Sequence, residues 1–209
     1  MVWRIVACVV LGFFFGSWNG AILISRAHMH EDVREKGSGN AGMTNFLRNY
    51  GGVWTLMVVL IDFGKAIAAC LIATLILPQE PMIAKIVAGI SVQLGHIFPI
   101  FFRFRGGKGV LCSAAVALVL DWRIFLIAIS IFFAIFFLTR YVSLASMIAV
   151  IAFAILAIIF LNDQPVVWIL VALMAAIVIF MHRSNIVRLA HGNERKTYFH
   201  KYKNEREAS

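Results

Sequence analysis

Charge is scarce in this chain. Only 14% of its 209 residues are Asp, Glu, Lys or Arg, while 62% are hydrophobic. Soluble domains carry about a quarter charged residues and about half apolar ones. A water-soluble fold of this length cannot hide so much apolar surface, so lipid must act as solvent for much of it. With only four prolines and no low-complexity tract, a long linker is excluded and one domain is expected. The cysteines, Cys8, Cys70 and Cys112, sit in apolar stretches without metal-ligand spacing. They read as packing residues, and no metal or other cofactor is expected. H-E-x-x-H, the G-x-S-x-G elbow, the Walker A loop and a His-x-x-x-x-Asp pair are all missing. His30 and Glu35 come closest to the last, in a stretch too polar and exposed to count, and no carboxylate is an obvious general base.

Long apolar runs are abundant instead. Residues 2–24, 52–77, 82–101, 143–161 and 166–181 each approach the roughly 20 residues that cross a hydrocarbon core. The first is too long for a signal-peptide core and has no small-residue cleavage site after it, so it reads as a retained helix. Residues 110–138 are too long for one untilted helix and are interrupted by Asp121-Trp122-Arg123. Each charge at the bilayer centre costs about 2.5–3.5 kcal/mol, so a turn at Asp121 and two helices are expected. The first of these, residues 110–120, is only about 16 Å long at 1.5 Å per residue.

The resulting fold class is an all-α integral membrane protein of about seven helices. Parity then places three polar segments, residues 25–51, 102–109 and 182–196, on one side, together with the turn at 139–143. Fifteen of the nineteen Lys and Arg lie on that side, three lie opposite, and Lys65 lies within a span. The positive-inside rule makes the basic side cytoplasmic and puts the amino terminus outside. The formal net charge of +9 is therefore read as membrane orientation and affinity for anionic small molecules, not for nucleic acid. Residues 197–209 read as a solvated tail.

The three segments carry the chemistry. Residues 36–48 pack three glycines, two asparagines and two hydroxyl residues ahead of Arg48. Glycines let backbone N–H groups approach an anion, and a following helix start adds partial positive charge. Ser38, Gly39, Asn40, Thr44 and Asn45 are candidate donors, and Arg48 can clamp a phosphate. An ordinary solvated loop is the alternative. In the second segment Arg105, Gly106, Gly107, Lys108 and Gly109 precede a helix start at Val110, which reads either as a phosphate cradle or as a basic turn that fixes topology. His96, inside an apolar stretch, reads equally as a packing or a catalytic histidine. In the third segment His182 and Asn185 share a face if the last helix continues, with Arg188 nearly in line. A snorkelling basic helix end is the alternative there. Asp62 and Lys65, three apart inside a span, read as a structural ion pair. Arg140 and Ser143 lie in the remaining turn and are further candidate donors.

Taken together and in order, these segments resemble the PlsY family, the bacterial acyl-phosphate:glycerol-3-phosphate acyltransferases. The pattern S-G-N-x-G-x-T-N-x-x-R is met from Ser38 to Arg48. G-H-x-x-P-x-F-x-x-F-R-G-G-K-G is met in spacing from Gly95 to Gly109, and H-x-x-N-I-x-R-L-x-x-G-x-E from His182 to Glu194. Asp62 and Lys65 match a D-x-x-K element, with Ala66 where glycine is frequent, and Met43 stands where a small residue is common.

The resemblance implies transfer of a fatty acyl group from acyl phosphate to the 1-hydroxyl of glycerol 3-phosphate. The site would lie at the cytoplasmic face of the bacterial inner membrane, with membrane lipid around it and a functional link to the enzyme that supplies acyl phosphate. It also implies active-site roles for Ser38, Arg48, His182 and Asn185, phosphate contacts for Gly106 to Gly109, and a structural role for Glu194. A transporter of an anionic metabolite is the rival reading, but it needs polar residues lining a midplane pathway, and only Asp62 and Lys65 lie deep. A scaffolding membrane protein would need no glycine-rich basic loops.

Overall fold

The computed structural model describes residues 1–198, and among them every regular element is helical. All but two residues of the expected tail lie outside the described residues. The helices are α1 (Val2–Gly16), α2 (Gly20–His28), α3 (Met43–Tyr50), α4 (Gly52–Ile76), α5 (Pro81–Ile97), α6 (Val110–Leu120), α7 (Trp122–Thr139), α8 (Val142–Phe160), α9 (Pro165–Met181) and α10 (Arg183–Ala190). Pro81 and Pro165 start α5 and α9, where the missing N–H costs nothing.

Five helical stretches are long and apolar enough to cross a bilayer. α9 joins them only if taken with α10, bent by 57° from it, and α6 is shorter still. Large apolar side chains are exposed along α1, α4, α7, α8 and α9, Leu75 and Leu138 reaching 80% and 81%, and contiguous apolar surface of this extent suits lipid. The chain is an all-α, multi-pass membrane protein.

The chain breaks at Asp121, where the sequence places a turn. Asp121 is extended, and its carboxylate accepts from the Arg123 N–H at the start of α7. α6 and α7 thus form a hairpin. At the far end of the bundle Arg4 donates to Gln79, and Arg123 lies over Phe160. The near end gathers the segments after α2, α5, α7 and α9. α1 crosses α5 closely through Gly12, Gly16 and Gly95, where any Cβ would strike backbone of the other helix.

One expectation is corrected in part. Residues 2–24 lie within one candidate span, Val2–His28, as expected, but its helix is broken: α1 ends at Gly16 and α2 starts at Gly20 with Asn19 as its N-cap. The cause is the buried pair on α4. Lys65 donates to the carbonyls of Gly16 and Trp18, at 3.0 and 2.8 Å. Asp62 accepts from the Gly20 N–H at 3.0 Å and from Lys65 at 2.7 Å. Backbone groups freed in a membrane must be satisfied by protein, and here one ion pair serves both sides of the break.

Candidate active site

Glu194 gathers the near end. Its Oε1 accepts from Ser143 at 2.8 Å and from the Asn185 amide at 2.7 Å, and its Oε2 accepts from Arg188 at 2.7 Å. The Oδ1 of Asn185 in turn accepts from the Lys108 ammonium. A chain of hydrogen bonds therefore runs from the start of α8 through the segment after α10 to the lysine before α6. Asn185, Ser143 and Glu194 are buried, so the chain is shielded from competing water. Hydrogen bonds from Arg188, Asn185 and Ser143 outweigh the burial that would raise the Glu194 carboxyl, and lower it from its ordinary value.

Arg48 joins from α3. Its Nη2 donates to the Arg195 carbonyl at 2.8 Å and to the Thr197 hydroxyl at 2.6 Å. The Thr197 N–H donates to the Arg140 carbonyl at 2.9 Å. The stretch after Glu194 thus ties α3 to the turn between α7 and α8, a role the sequence did not suggest for Thr197. Arg140 takes part through its backbone. Its guanidinium lies 5.9 Å from the centre of the Phe137 ring, and among the described residues no hydrogen bond joins that guanidinium to the cluster.

Asn45 does not serve as a free phosphate donor. Its amide donates to the Val33 and Lys36 carbonyls, both at 3.0 Å, and its oxygen accepts from the Ser38 N–H at 2.9 Å and from Asn49 at 3.1 Å. Two donors and two lone pairs are all an amide has. Asn45 therefore shapes the loop and leaves Ser38 exposed beside Gly39 and Asn40. Thr44 stands half-buried in the first turn of α3.

The glycines of the second segment also need revision. The Gly106 N–H donates to the Ile97 carbonyl and the Gly107 N–H to the His96 carbonyl, so neither amide is free to cradle an anion. What these glycines supply is approach: a Cβ on Gly106 would strike the His96 carbonyl, and one on Gly107 the His96 ring. The amides at the start of α6 are different, because no side chain caps them and the first turn of a helix has no internal acceptors. Gly109, at φ +80°, turns the chain into that helix.

The loop itself is held by Arg34, another residue missed at the sequence level. Its Nη1 donates to the carbonyls of Phe102 and Arg105, at 2.7 and 3.0 Å, while Asp32 accepts from its Nε and Nη2. The signal available was the D-x-R spacing just before the glycine-rich stretch. The Arg34 guanidinium beside Asp32 holds that carboxyl well below the usual range. Arg105 contributes its carbonyl here, and its side chain is exposed.

His182 sits at the bend where α9 gives way to α10, so the helix does not continue straight. Its Nδ1 lies 2.8 Å from the Val178 carbonyl. That bond requires the proton on Nδ1 and leaves the Nε2 lone pair unprotonated. Burial and the nearby Lys108 charge lower its pKa to about 4. Burial also lowers Lys108 to about 8, with Glu194 opposing and Arg188 and Arg48 adding to the shift. Burial likewise lowers Arg48, with Glu194 opposing that shift. Lys108, Arg48 and Arg188 thus crowd around one carboxylate, a field that favours an incoming anion.

Fold and site together define a multi-pass membrane protein with a cation-rich cluster at one end of its bundle. The profile of the family described as Glycerol-3-phosphate acyltransferase matches residues 6–192. A glycerol-3-phosphate acyltransferase of Thermoanaerobacter sp. (strain X514) is 36% identical over 91% of this chain and 94% of its own length. One from Mesorhizobium japonicum is 38% identical over 94% and 97%. The solved structure of PlsY (YgiH), an integral membrane glycerol 3-phosphate acyltransferase in its glycerol 3-phosphate form, superposes with a TM-score of 0.85. It is 32% identical and covers 93% of this chain and 96% of that one. Its lysophosphatidic acid form gives a TM-score of 0.82 at 31% identity. The chain belongs to the glycerol-3-phosphate acyltransferase family.

Proposed function

We propose that this protein transfers a fatty acyl group from acyl phosphate to the 1-hydroxyl of glycerol 3-phosphate, at the cytoplasmic face of the bacterial inner membrane. The observation that carries the reading is the Lys108–Asn185–Glu194–Ser143 chain, which joins segments far apart in sequence beside Arg48 and Arg188. Relatives of the same family were solved in glycerol 3-phosphate and lysophosphatidic acid forms, which are the acceptor and the product of this reaction. Of the nineteen Lys and Arg, fifteen lie in the segments of the near end and the tail, which supports a cytoplasmic site.

In the reaction, the 1-hydroxyl oxygen attacks the acyl carbonyl carbon, and the carbon–oxygen bond to phosphate breaks. Phosphate leaves with the electron pair, giving 1-acyl-glycerol 3-phosphate. The mixed anhydride brings its own leaving group, so the protein's task is positioning and charge stabilisation. Lys108 and the free amides of α6 hold one phosphate, and Arg48 and Arg188 neutralise the other. Ser38, Asn185 and the Nε2 of His182 orient the carbonyl and the hydroxyl. The leaving phosphate, freed with the electron pair of the broken bond, takes up the hydroxyl proton, and His182, held by its Nδ1–H on the Val178 carbonyl, orients the hydroxyl.

The test is purified protein in lipid nanodiscs with synthetic acyl phosphate and glycerol 3-phosphate. Matched release of lysophosphatidic acid and phosphate is expected. Acylation from acyl-CoA alone would assign a different enzyme.

A further inference from the structure

The break between α1 and α2 contains more than an ion pair. The Lys65 ammonium lies 3.0 Å from the Gly16 carbonyl, 2.8 Å from that of Trp18, 2.7 Å from Asp62 Oδ1 and 3.1 Å from His96 Nδ1. Backbone carbonyls of an unwound helix plus one carboxylate are the donor set with which membrane proteins hold a bare monovalent cation. Asp62 and Lys65 would need no carbonyls to pair three residues apart on one helix. The second carboxylate oxygen, Oδ2 of Asp62, is buried and accepts no hydrogen bond, while Oδ1 accepts from both the Lys65 ammonium and the Gly20 N–H, with His96 Nδ1 3.4 Å away.

The same knot is wired to both glycine-rich loops. Asn19, which caps α2 at the break, donates to the Ala41 carbonyl at 3.0 Å. The Ala41 N–H reaches the Gly106 carbonyl at 3.4 Å, and the His96 carbonyl accepts from the Gly107 N–H at 3.1 Å. Moving the break moves the loop after Ser38 and the loop before Lys108 together.

We propose that the Lys65 ammonium is a tethered monovalent cation filling a carbonyl–carboxylate site at this break, and that it positions both loops of the active site. Lys65 is a positioning residue, because its ammonium is committed to the Gly16 and Trp18 carbonyls, Asp62 and His96. The kinetic part of this inference rests on the acyl transfer proposed above. The binding part does not.

The experiment replaces the tether with a free amine. Lys65→Ala removes three methylenes and the ammonium, which n-propylammonium restores. An apolar groove of about 260 Å³ bounded by Phe14, Phe15 and Trp18 reaches Lys65 and offers the amine a route. The full-length variant in nanodiscs should melt at a lower temperature than wild type and show about a tenfold higher KM for glycerol 3-phosphate, since hydrogen bonds to charged groups carry that scale of effect. Propylammonium chloride should raise the Tm and lower the KM. Choline chloride at equal ionic strength should do neither.

Asp62→Asn/Lys65→Met removes the site without leaving a buried charge and is the second variant to measure. It should keep the raised KM and ignore the amine. Wild-type Tm and KM in amine-free Lys65→Ala overturn the proposal. So does a folded Lys65→Ala that does not respond to propylammonium, or a double variant with wild-type KM. If neither variant folds with any cation, the positioning claim falls. A wild-type protein without turnover would sink the reaction while leaving the Tm comparison intact.

Discussion

The Lys108 ammonium donates a hydrogen bond to Asn185 Oδ1, across 77 positions of sequence. The contact joins the glycine-rich turn before α6 to the bend after α9. Asn185 passes the interaction on to Glu194, so the lysine feels a carboxylate it does not touch. Coupling of this kind is why the loops act as one site, and it makes the charge of Lys108 sensitive to its surroundings.

Burial brings Lys108 down to about 8 from an ordinary 10.5. Below about pH 8 it is an ammonium able to grip phosphate, and above that it loses its charge. The kcat/KM for glycerol 3-phosphate, which reports the free enzyme, should therefore fall above pH 8. Lys108→Arg, charged throughout, should lack that limb. Stability should move the other way. The folded value lies below the unfolded one, so from about pH 8 to 10.5 the unfolded chain binds more protons and the fold gains stability as pH rises. A flat kcat/KM profile up to pH 10.5 would remove Lys108 from the phosphate site.

His182→Gln keeps a donor and an acceptor but cannot titrate. If His182 only orients the hydroxyl, kcat should drop roughly tenfold, a cost of about 1.4 kcal/mol. The acid side of the pH–rate profile should keep its shape. A general base is worth about 10²–10⁴ in rate, so a larger loss together with a vanished acid limb would make His182 the proton acceptor.

Thr197 gives Arg48 a neutral acceptor at 2.6 Å. Thr197→Val keeps the shape and removes the oxygen. Hydrogen bonds to charged groups are worth about 1.5–3 kcal/mol, so the KM for glycerol 3-phosphate should rise about tenfold or more, and Thr197→Ser should restore it. Equal kinetics in the valine and serine variants would show that Arg48 needs no such hold.

Asn45→Ala should act on stability first. It strips partners from the Val33 and Lys36 carbonyls and the Ser38 N–H. The Val33 bond is buried, and an unmet buried group costs about 1–3 kcal/mol, with less for the two more exposed groups. Denaturation in detergent should show a loss of about 2 kcal/mol or more. Asn45→Asp, which keeps the acceptor, should lie between. An alanine variant as stable as wild type would contradict the role of Asn45 as the loop's organiser.

The spans and their breaks were largely legible because they follow from the cost of charge and of free backbone in lipid. Asp121 was readable as a turn on that ground. The break at residues 17–19 was not, because the residues that force it, Asp62 and Lys65, sit on another helix and declare their partners only in three dimensions. The segments carrying Ser38, Arg48, Lys108, His182 and Asn185 were found by composition and spacing. Which atoms remain free was not readable: Asn45, Gly106 and Gly107 look like phosphate donors in sequence, yet their groups are spent on the loops. Arg34 and Thr197 act through single long-range bonds that leave no local pattern.

The convergence of four segments at one membrane boundary is tested most directly by labelling. Cys8, Cys70 and Cys112 are buried and can be replaced, and single cysteines placed at Thr44, Arg105 and Asn193 in sealed, oriented vesicles. A membrane-impermeant maleimide should reach all three from the cytoplasmic side and none from the other. Labelling of any one from the opposite side would contradict the arrangement on which the proposed chemistry depends.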